Sequence, residues 1–439
     1  MTVRVSAGQR RRRLVRRQLA GAGGATEAGG VAGGASGAGG AGGVAGVAEA
    51  LVALHATDPV TVYLSAWARS RCSVEDVDTA LYADRTVFRM LGMRRTVFVL
   101  PAGLAAVVQA ACTDDVAARL RRTLEKDLAK GGVGGGDAGG WLRDAEARVL
   151  RALAARGGGA TGAQLAGDEP RLRTQLVYAE GKAYGGAANI TSRVLTLISA
   201  EGRTIRGHRR GGWSSGQFEW FLPEIWQERA QGQEHAEGLG HRPEGTAANG
   251  GGADPGRRAG LGAGLDPAIA RAELARRWLA AFGPAPVSDL QWWAGWNGTQ
   301  TKAALAALPV TEVDLDGQAG VALAGDLDFP AEAPSTAALL PGLDPTPMGW
   351  QARDWFLGPH GPRLFDRTGN IGPTVWWGGR VVGGWAQRPS GEVACRLLED
   401  IGADAAGAVA AEAGRLQAWL GDARVTPRFR TPLERELSA

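Results

Sequence analysis

The stretch Leu54-His55-Ala56-Thr57-Asp58-Pro59 brings an imidazole, a hydroxyl and a carboxylate together in a chain with five histidines. If the stretch is extended, His55 and Thr57 project to one side and Ala56 to the other. A neutral imidazole, close to half titrated at pH 7, accepts a proton from a bound water, and a threonine hydroxyl orients that water. Two such groups holding one water make a minimal hydrolytic site. Asp58 competes for a catalytic part, since a carboxylate is the stronger partner for developing positive charge. It has a second reading as an N-cap, with Pro59 in the first helical position. That cap would fix the loop and leave His55 exposed. The alternative for His55 itself is a satisfied structural histidine.

The remaining chemistry-bearing residues are scattered. Cys72, Cys112 and Cys395 are far apart and have no partner at metal-ligand spacing, so neither a disulfide framework nor a zinc site is expected. His208 lies among Arg206, Arg209 and Arg210, where phosphate contact is plausible; His235 and His241 fall in a Gly/Pro/polar stretch, and His360 in a turn. Asp344 precedes Pro345 and reads as a turn residue. No lysine stands near the His55 loop, which speaks against a lyase step.

The elements that must position these groups repeat one local grammar. In the middle of the chain, DAEARVLRALAARGG, ATGAQLAG and NITSRVLTLISAEG have helical spacing, with Asn189 or Thr191 available as a cap. RTIRGHRRGGWSSGQFEWFLP follows, alternating and broken by glycines as a β-hairpin would be. Helices followed by a hairpin make a winged helix. AIARAELARRWLAAFG, PVSDLQWWAGW, TQTKAALAAL and VTEVDLDGQAGVAL repeat the order, and residues 47–101 are a looser copy. Winged helices bind nucleic acid, and some bind proteins. Further on, Trp376-Trp377-Gly378-Gly379-Arg380 reads as a tight type I′ hairpin. Arg380 at its tip could enter a groove or stack on a base, while Trp376 and Trp385 are equally core candidates.

The net charge of +4 is small for 439 residues but unevenly spread. Arginines crowd residues 10–17, as either a polyanion-facing patch or a solvated helix face. For Arg193, Arg206, Arg209 and Arg210, on the second copy's last helix and wing, phosphate contact is expected over base reading. No run of apolar residues is long enough for a membrane span and the basic N-terminus lacks an apolar leader core, so a soluble, cytoplasmic, unprocessed protein is expected.

Together LHATDPVTVYLSAWAR, MRRTVFVLP, ITSRVLTLISAEGRTIRG, FGPAPVSDLQWWAGW, LLPGLDP and GNIGPTVWWGGRVVGGWAQR resemble the AlkZ/YcaQ-like winged-helix DNA glycosylases of bacteria. The resemblance implies tandem winged helices around a DNA-sized concave channel and excision of alkylated purines. For some members it extends to interstrand crosslinks or bulky guanine adducts made by antibiotic genotoxins. It places Arg94 and Thr96 beside that channel. The family's catalytic Gln-x-Gln or Gln-x-Asp pair falls on His55-Ala56-Thr57, where both polar identities differ.

The expected fold is therefore α+β and mainly α, three tandem winged helices in a C-shaped arrangement with a C-terminal mixed β region. The boundaries are 1–140 (with a Gly-rich insertion at 21–46), 141–230, a linker at 231–264, then 265–330 and 331–439. The expected activity is that of a monofunctional DNA glycosylase for bulky or crosslinked N7-alkylated guanine, acting on double-stranded DNA as a monomer without metal or organic cofactor, with a link to genotoxin self-resistance. The alternatives are a non-catalytic winged-helix regulator and a protein-interaction scaffold.

Overall fold

The computed structural model describes residues 2–19, 43–178, 185–226, 264–332 and 336–439. Apart from residues 43–46, where a helix starts at Val44, the expected Gly-rich insertion lies outside them. So does the expected linker, apart from Gly264, and with it His235 and His241. The protein mixes helix and strand and is about half helical. It forms two compact units, one of Met1–Leu81, Arg85–Cys112 and Asp266–Ala439, the other of Tyr82–Asp84 and Thr113–Leu265.

Three segments of the chain share one element order. Helix Val44–Ala50 is followed by strand Leu54–His55, helices Pro59–Ser70 and Val74–Asp78, and the antiparallel pair Val87–Leu91 and Val97–Pro101. The short strand closes the sheet by pairing with the last strand. In the second unit, helix Ala138–Arg156, strand Ala160–Thr161, helices Gly162–Asp168 and Thr191–Ala200, and strands Ile205–Arg209 and Phe218–Phe221 repeat it. Back in the first unit come helices Pro267–Phe282, Val287–Ala294 and Gly298–Ala306, then strands Val310–Leu315 and Gln318–Leu323, with Ala285 bridging Val321 in place of the short strand.

The second unit also carries an element that the sequence did not announce, a two-stranded hairpin of Gln175–Tyr178 and Gly186–Asn189. It changes the start of the following helix. Asn189 is spent in a strand, Ile190 occupies the N-cap with no side-chain cap, and Thr191 Oγ1 donates to the Leu172 carbonyl instead, 2.9 Å away.

The N-terminal arginines turn inward. Ser6 and Gln9 form a capping box that starts helix Ala7–Leu14, which continues as a π-helical turn to Leu19. Arg13 and Arg17 both reach Asp326, Arg16 reaches Asp328 at 3.1 Å, and Arg12 Nε donates to the Pro330 carbonyl at 2.7 Å. Arg10 is buried with its guanidinium 4.0 Å over the Trp355 ring. Neither a polyanion patch nor a solvated face describes this run, because acidic and carbonyl groups some 300 residues later absorb most of it. Strand Val3–Arg4 adds to the same region, running parallel to Val310–Leu315.

A four-stranded antiparallel sheet, Ala337–Leu340, Thr374–Trp377, Arg380–Gln387 and Val393–Leu397, completes the first unit, with helix Ala403–Leu420 packed on it. Trp376 and Trp385 are buried in this sheet, their indole N–H groups donating to Thr374 Oγ1 at 2.8 Å and to the Leu340 carbonyl at 2.9 Å. The core reading holds for both.

Candidate active site

His55 ends the short strand Leu54–His55, opposite Phe98, and Ala56 N–H continues the ladder to the Val97 carbonyl at 2.8 Å. The extended geometry expected for this stretch is present from Leu54 to Ala56, whereas Thr57 and Asp58 form a bend before the helix. The expected exposure is not: His55 is 6% exposed, with its ring 5.4 Å from that of Phe98 in an edge-on arrangement. Burial, reinforced by the nearby Arg94 charge and opposed by Asp344, pushes the imidazole down to about 3, so it is neutral at pH 7 rather than half titrated. Among the described residues its buried Nδ1 has no hydrogen-bond partner, an arrangement that calls for a water or a ligand atom.

This burial has a measurable consequence. The unfolded chain protonates His55 near its ordinary 6.5, the folded protein only near 3. Between those values the unfolded state holds the extra proton, so stability falls as pH falls, by roughly 1.4 kcal/mol per unit from this group. Above 6.5 it contributes nothing. A His55→Gln variant is therefore expected to lose less stability than the parent between pH 7 and 5, read from denaturant midpoints at each pH; parallel losses would refute the buried neutral ring.

Asp58 is the N-cap of helix Pro59–Ser70. One carboxylate oxygen accepts from Val60 N–H at 3.3 Å, and the other accepts from Arg428 N–H at 2.9 Å. Burial raises its pKa, and these hydrogen bonds oppose the rise. Thr57 is half-buried, and its carbonyl accepts from Arg428 Nη1 at 3.4 Å. Backbone donors thus occupy both Asp58 oxygens, and the loop is clamped at its exit.

The helix that Asp58 opens is buried throughout from Pro59 to Arg69. Its polar side chains recur every fourth residue, which sets them on one stripe. Thr61 Oγ1 donates to the Gly342 carbonyl at 2.7 Å, Ser65 Oγ to Asp344 Oδ2 at 2.7 Å, and Arg69 meets Asp344 with both terminal nitrogens at 2.7 and 2.9 Å. Arg69 also reaches Thr346 Oγ1 at 2.8 Å and the Gln18 carbonyl at 2.6 Å. Asp344 is fully buried and caps the short helix Pro345–Met348 through Thr346 N–H at 2.9 Å. It is a cap and a buried ion pair, more than the turn residue expected of it. Sequence reasoning missed Thr61, Ser65 and Arg69, although a polar residue at every fourth position of an apolar helix is a signal.

Arg94 sits in the turn between Val87–Leu91 and Val97–Pro101, close enough to His55 for its charge to act on the ring. Thr96 closes that turn, its carbonyl accepting from Gly92 N–H at 2.8 Å. Arg380 is elsewhere in this unit. Gly378 and Gly379 have φ of 54° and 79°, as the type I′ reading requires, but the hairpin tip does not project freely. A Cβ on Gly379 would lie 2.7 Å from the Arg11 carbonyl, and Arg380 pairs at 2.9 Å with Glu399, which also bonds His360 at 3.1 Å.

In the second unit the expected DNA contacts all have protein partners. Arg193 pairs with Asp127 at 2.6 Å and Arg210 with Glu219 at 2.6 Å. Arg206 lies 5.0 Å over the Trp220 ring, and Arg209 Nε donates to Tyr82 Oη at 3.1 Å. The ring of His208 packs among Tyr82, Phe221 and Trp226.

Among the described residues no cluster of histidine, cysteine and acidic side chains could hold a metal, and no helix is long and apolar enough to cross a membrane. All three cysteines are free thiols.

This architecture is similar to that of a solved DNA glycosylase. The DNA glycosylase AlkZ of Streptomyces sahachiroi superimposes with a TM-score of 0.60 at 19% identity, covering 95% of this chain and 98% of that one. The pattern of the DNA glycosylase AlkZ-like family matches residues 48–419, and the chain belongs to that family. No curated protein sequence matches it.

Proposed function

We propose that the protein is a monofunctional glycosylase that hydrolyses the N-glycosidic bond of bulky or crosslinked N7-alkylated guanine in double-stranded DNA. The observation that carries this reading is the buried, unpartnered Nδ1 of a neutral His55 at the position of the family's catalytic pair, in a chain matching the family over residues 48–419. Alkylation at N7 makes the purine a cation that leaves without protonation, so neither a general acid nor a metal is required. What remains is to tolerate an oxocarbenium-like sugar and to place a water at C1′. A neutral imidazole suits a cationic sugar, whereas a protonated one would repel it. His55 accepts a hydrogen bond from the water and takes its proton as the C1′–O bond forms and the C1′–N9 bond breaks, the alkylated purine leaving neutral; Thr57 orients the water, and Asp58 holds the loop through its cap.

Three winged helices, one for each repeat of the element order, supply the DNA-binding frame in this reading. Arg94, Thr96, Arg193, Arg206, Arg209, Arg210 and Arg380 are its DNA contacts, the paired arginines exchanging their carboxylates for phosphates. In this reading the protein acts as a cytoplasmic monomer and serves genotoxin self-resistance.

One observation favours a second reading, a DNA-binding protein that excises nothing: His55 is packed against Phe98. Incubation with duplex carrying N7-alkylated guanine decides between them. Abasic sites are expected. Binding without abasic sites establishes the second reading. For the glycosylase, kcat/KM should show no inflection near pH 6.5 between pH 5 and 8, because His55 titrates far below that window; a histidine-like inflection would mean that another group, or an exposed His55, carries the proton.

A further inference from the structure

We propose that Arg94, Trp292 and Arg353 form a seat for a phosphodiester group of duplex DNA next to the His55 loop. The inference rests on the DNA-glycosylase reading and adds to it two residues, Trp292 and Arg353, that sequence analysis did not single out.

Two guanidiniums share one indole: Arg94 lies 3.8 Å and Arg353 5.0 Å from the Trp292 ring centre. All three side chains are partly exposed. Stacking occupies the face of a guanidinium and leaves its N–H edge free to fork onto a phosphate. Neither arginine forms an ion pair among the described residues. Arg353 donates from Nε to the Pro347 carbonyl at 3.0 Å and from Nη2 to Met348 Sδ at 4.0 Å, and the buried Arg94 Nε has no hydrogen-bond partner among the described residues. The carboxyl that acts on Arg353 is Asp289, which is shared with Arg10 and tied through Oδ1 to Gln351 N–H at 3.0 Å and Ala352 N–H at 2.9 Å. The site therefore carries surplus positive charge. Burial, with Arg353 as a like-charged neighbour, lowers Arg94 to about 10; an anion between the two would relieve that repulsion.

The backbone is locked to the same end. Arg94 and Arg95 have φ of 52° and 59°, a left-handed conformation that side chains of this kind rarely adopt and that clusters at ligand clamps. Gly295, φ 76°, backs onto the turn, and a Cβ there would lie 3.1 Å from Arg94 N and 3.2 Å from its Cα. Arg94 also acts on His55, so a phosphate on this seat would lie within electrostatic reach of the imidazole.

The test is the salt dependence of binding to undamaged duplex between 50 and 200 mM salt, by fluorescence anisotropy. Arg94→Met and Arg353→Met keep the stacked volume and remove the charge. Each is expected to lower the slope of log affinity against log salt, the double variant by about 0.9 for the one phosphate contact and each single variant by part of that, with Arg353→Lys restoring its share. Unchanged slopes in both Met variants, or weaker binding with no change of slope, overturn the seat and the Arg94 contact with it, while abasic-site formation by the wild type decides the glycosylase reading separately. Should the wild type make no abasic sites but the slopes still fall, the seat stands and the glycosylase reading fails. Should Arg94→Met not fold, the Arg353 pair of variants decides alone.

Discussion

Replacing His55 by leucine is expected to slow excision of N7-alkylated guanine by about 10²–10³-fold, the range typical of losing a positioned proton acceptor, while duplex affinity stays within about twofold. Leucine retains the apolar volume beside Phe98 and removes both ring nitrogens, so the loss belongs to the nitrogen left without a partner. Alanine is the poorer probe, because a cavity left by a buried ring costs about 3 kcal/mol or more. Single-turnover excision measured well below the melting temperature separates the two effects. Wild-type rates in His55→Leu would move catalysis to another group. A parallel drop in affinity and rate would make His55 a binding residue.

Asp344→Ala is expected to destabilise the protein by about 3–5 kcal/mol, because it strands the buried Arg69 guanidinium. Arg69 would keep its bonds to Thr346, Gln18 and the Ser65 carbonyl but lose its counter-charge. For a unit of this size the melting temperature should fall by roughly 10 °C, at about 2–4 °C per kcal/mol. Replacing both partners, Arg69→Met with Asp344→Leu, should recover most of that loss, since buried pairs often cost as much in desolvation as they return. A drop of under ~1 kcal/mol in the single variant would mean that the pair does not tie the Asp58 helix to residues 342–346. Because that helix begins at the clamp of the His55 loop, the same variant should also blunt excision at temperatures where it is still folded.

The features that sequence made legible are local. Asp58 followed by Pro59 states a helix start within two residues, and the structure has that cap. Gly378-Gly379 between alternating residues states its turn, and both glycines have positive φ. The alternating runs ending at Phe221 and Leu323 are hairpins. The features that stayed hidden depend on partners far along the chain. His55 is buried by Phe98 and acted on by Arg94 and Asp344, none of them visible from its own hexapeptide. The arginines of residues 10–17 read as a surface because nothing nearby neutralises them, yet Asp326 and Asp328 do. Trp292 and Arg353 lack any local mark that sets them apart from the other tryptophans and arginines of the chain. Asn189 shows the opposite error. It is a competent cap by type, but a strand claimed it first.

The parallel pairing of Val3–Arg4 with Val310–Leu315 also sets the order in which the protein can be made. A ribosome that has finished the first hundred residues holds an amino-terminal strand whose neighbour is some two hundred codons away, a wait of roughly 10–40 s at ordinary elongation rates. Thr113–Leu265 is nearly contiguous and emerges complete during that interval. Nascent chains should therefore become protease-resistant first in the described part of that segment, while the inward arginines of the leading segment lack their acidic partners until Asp326 has left the exit tunnel.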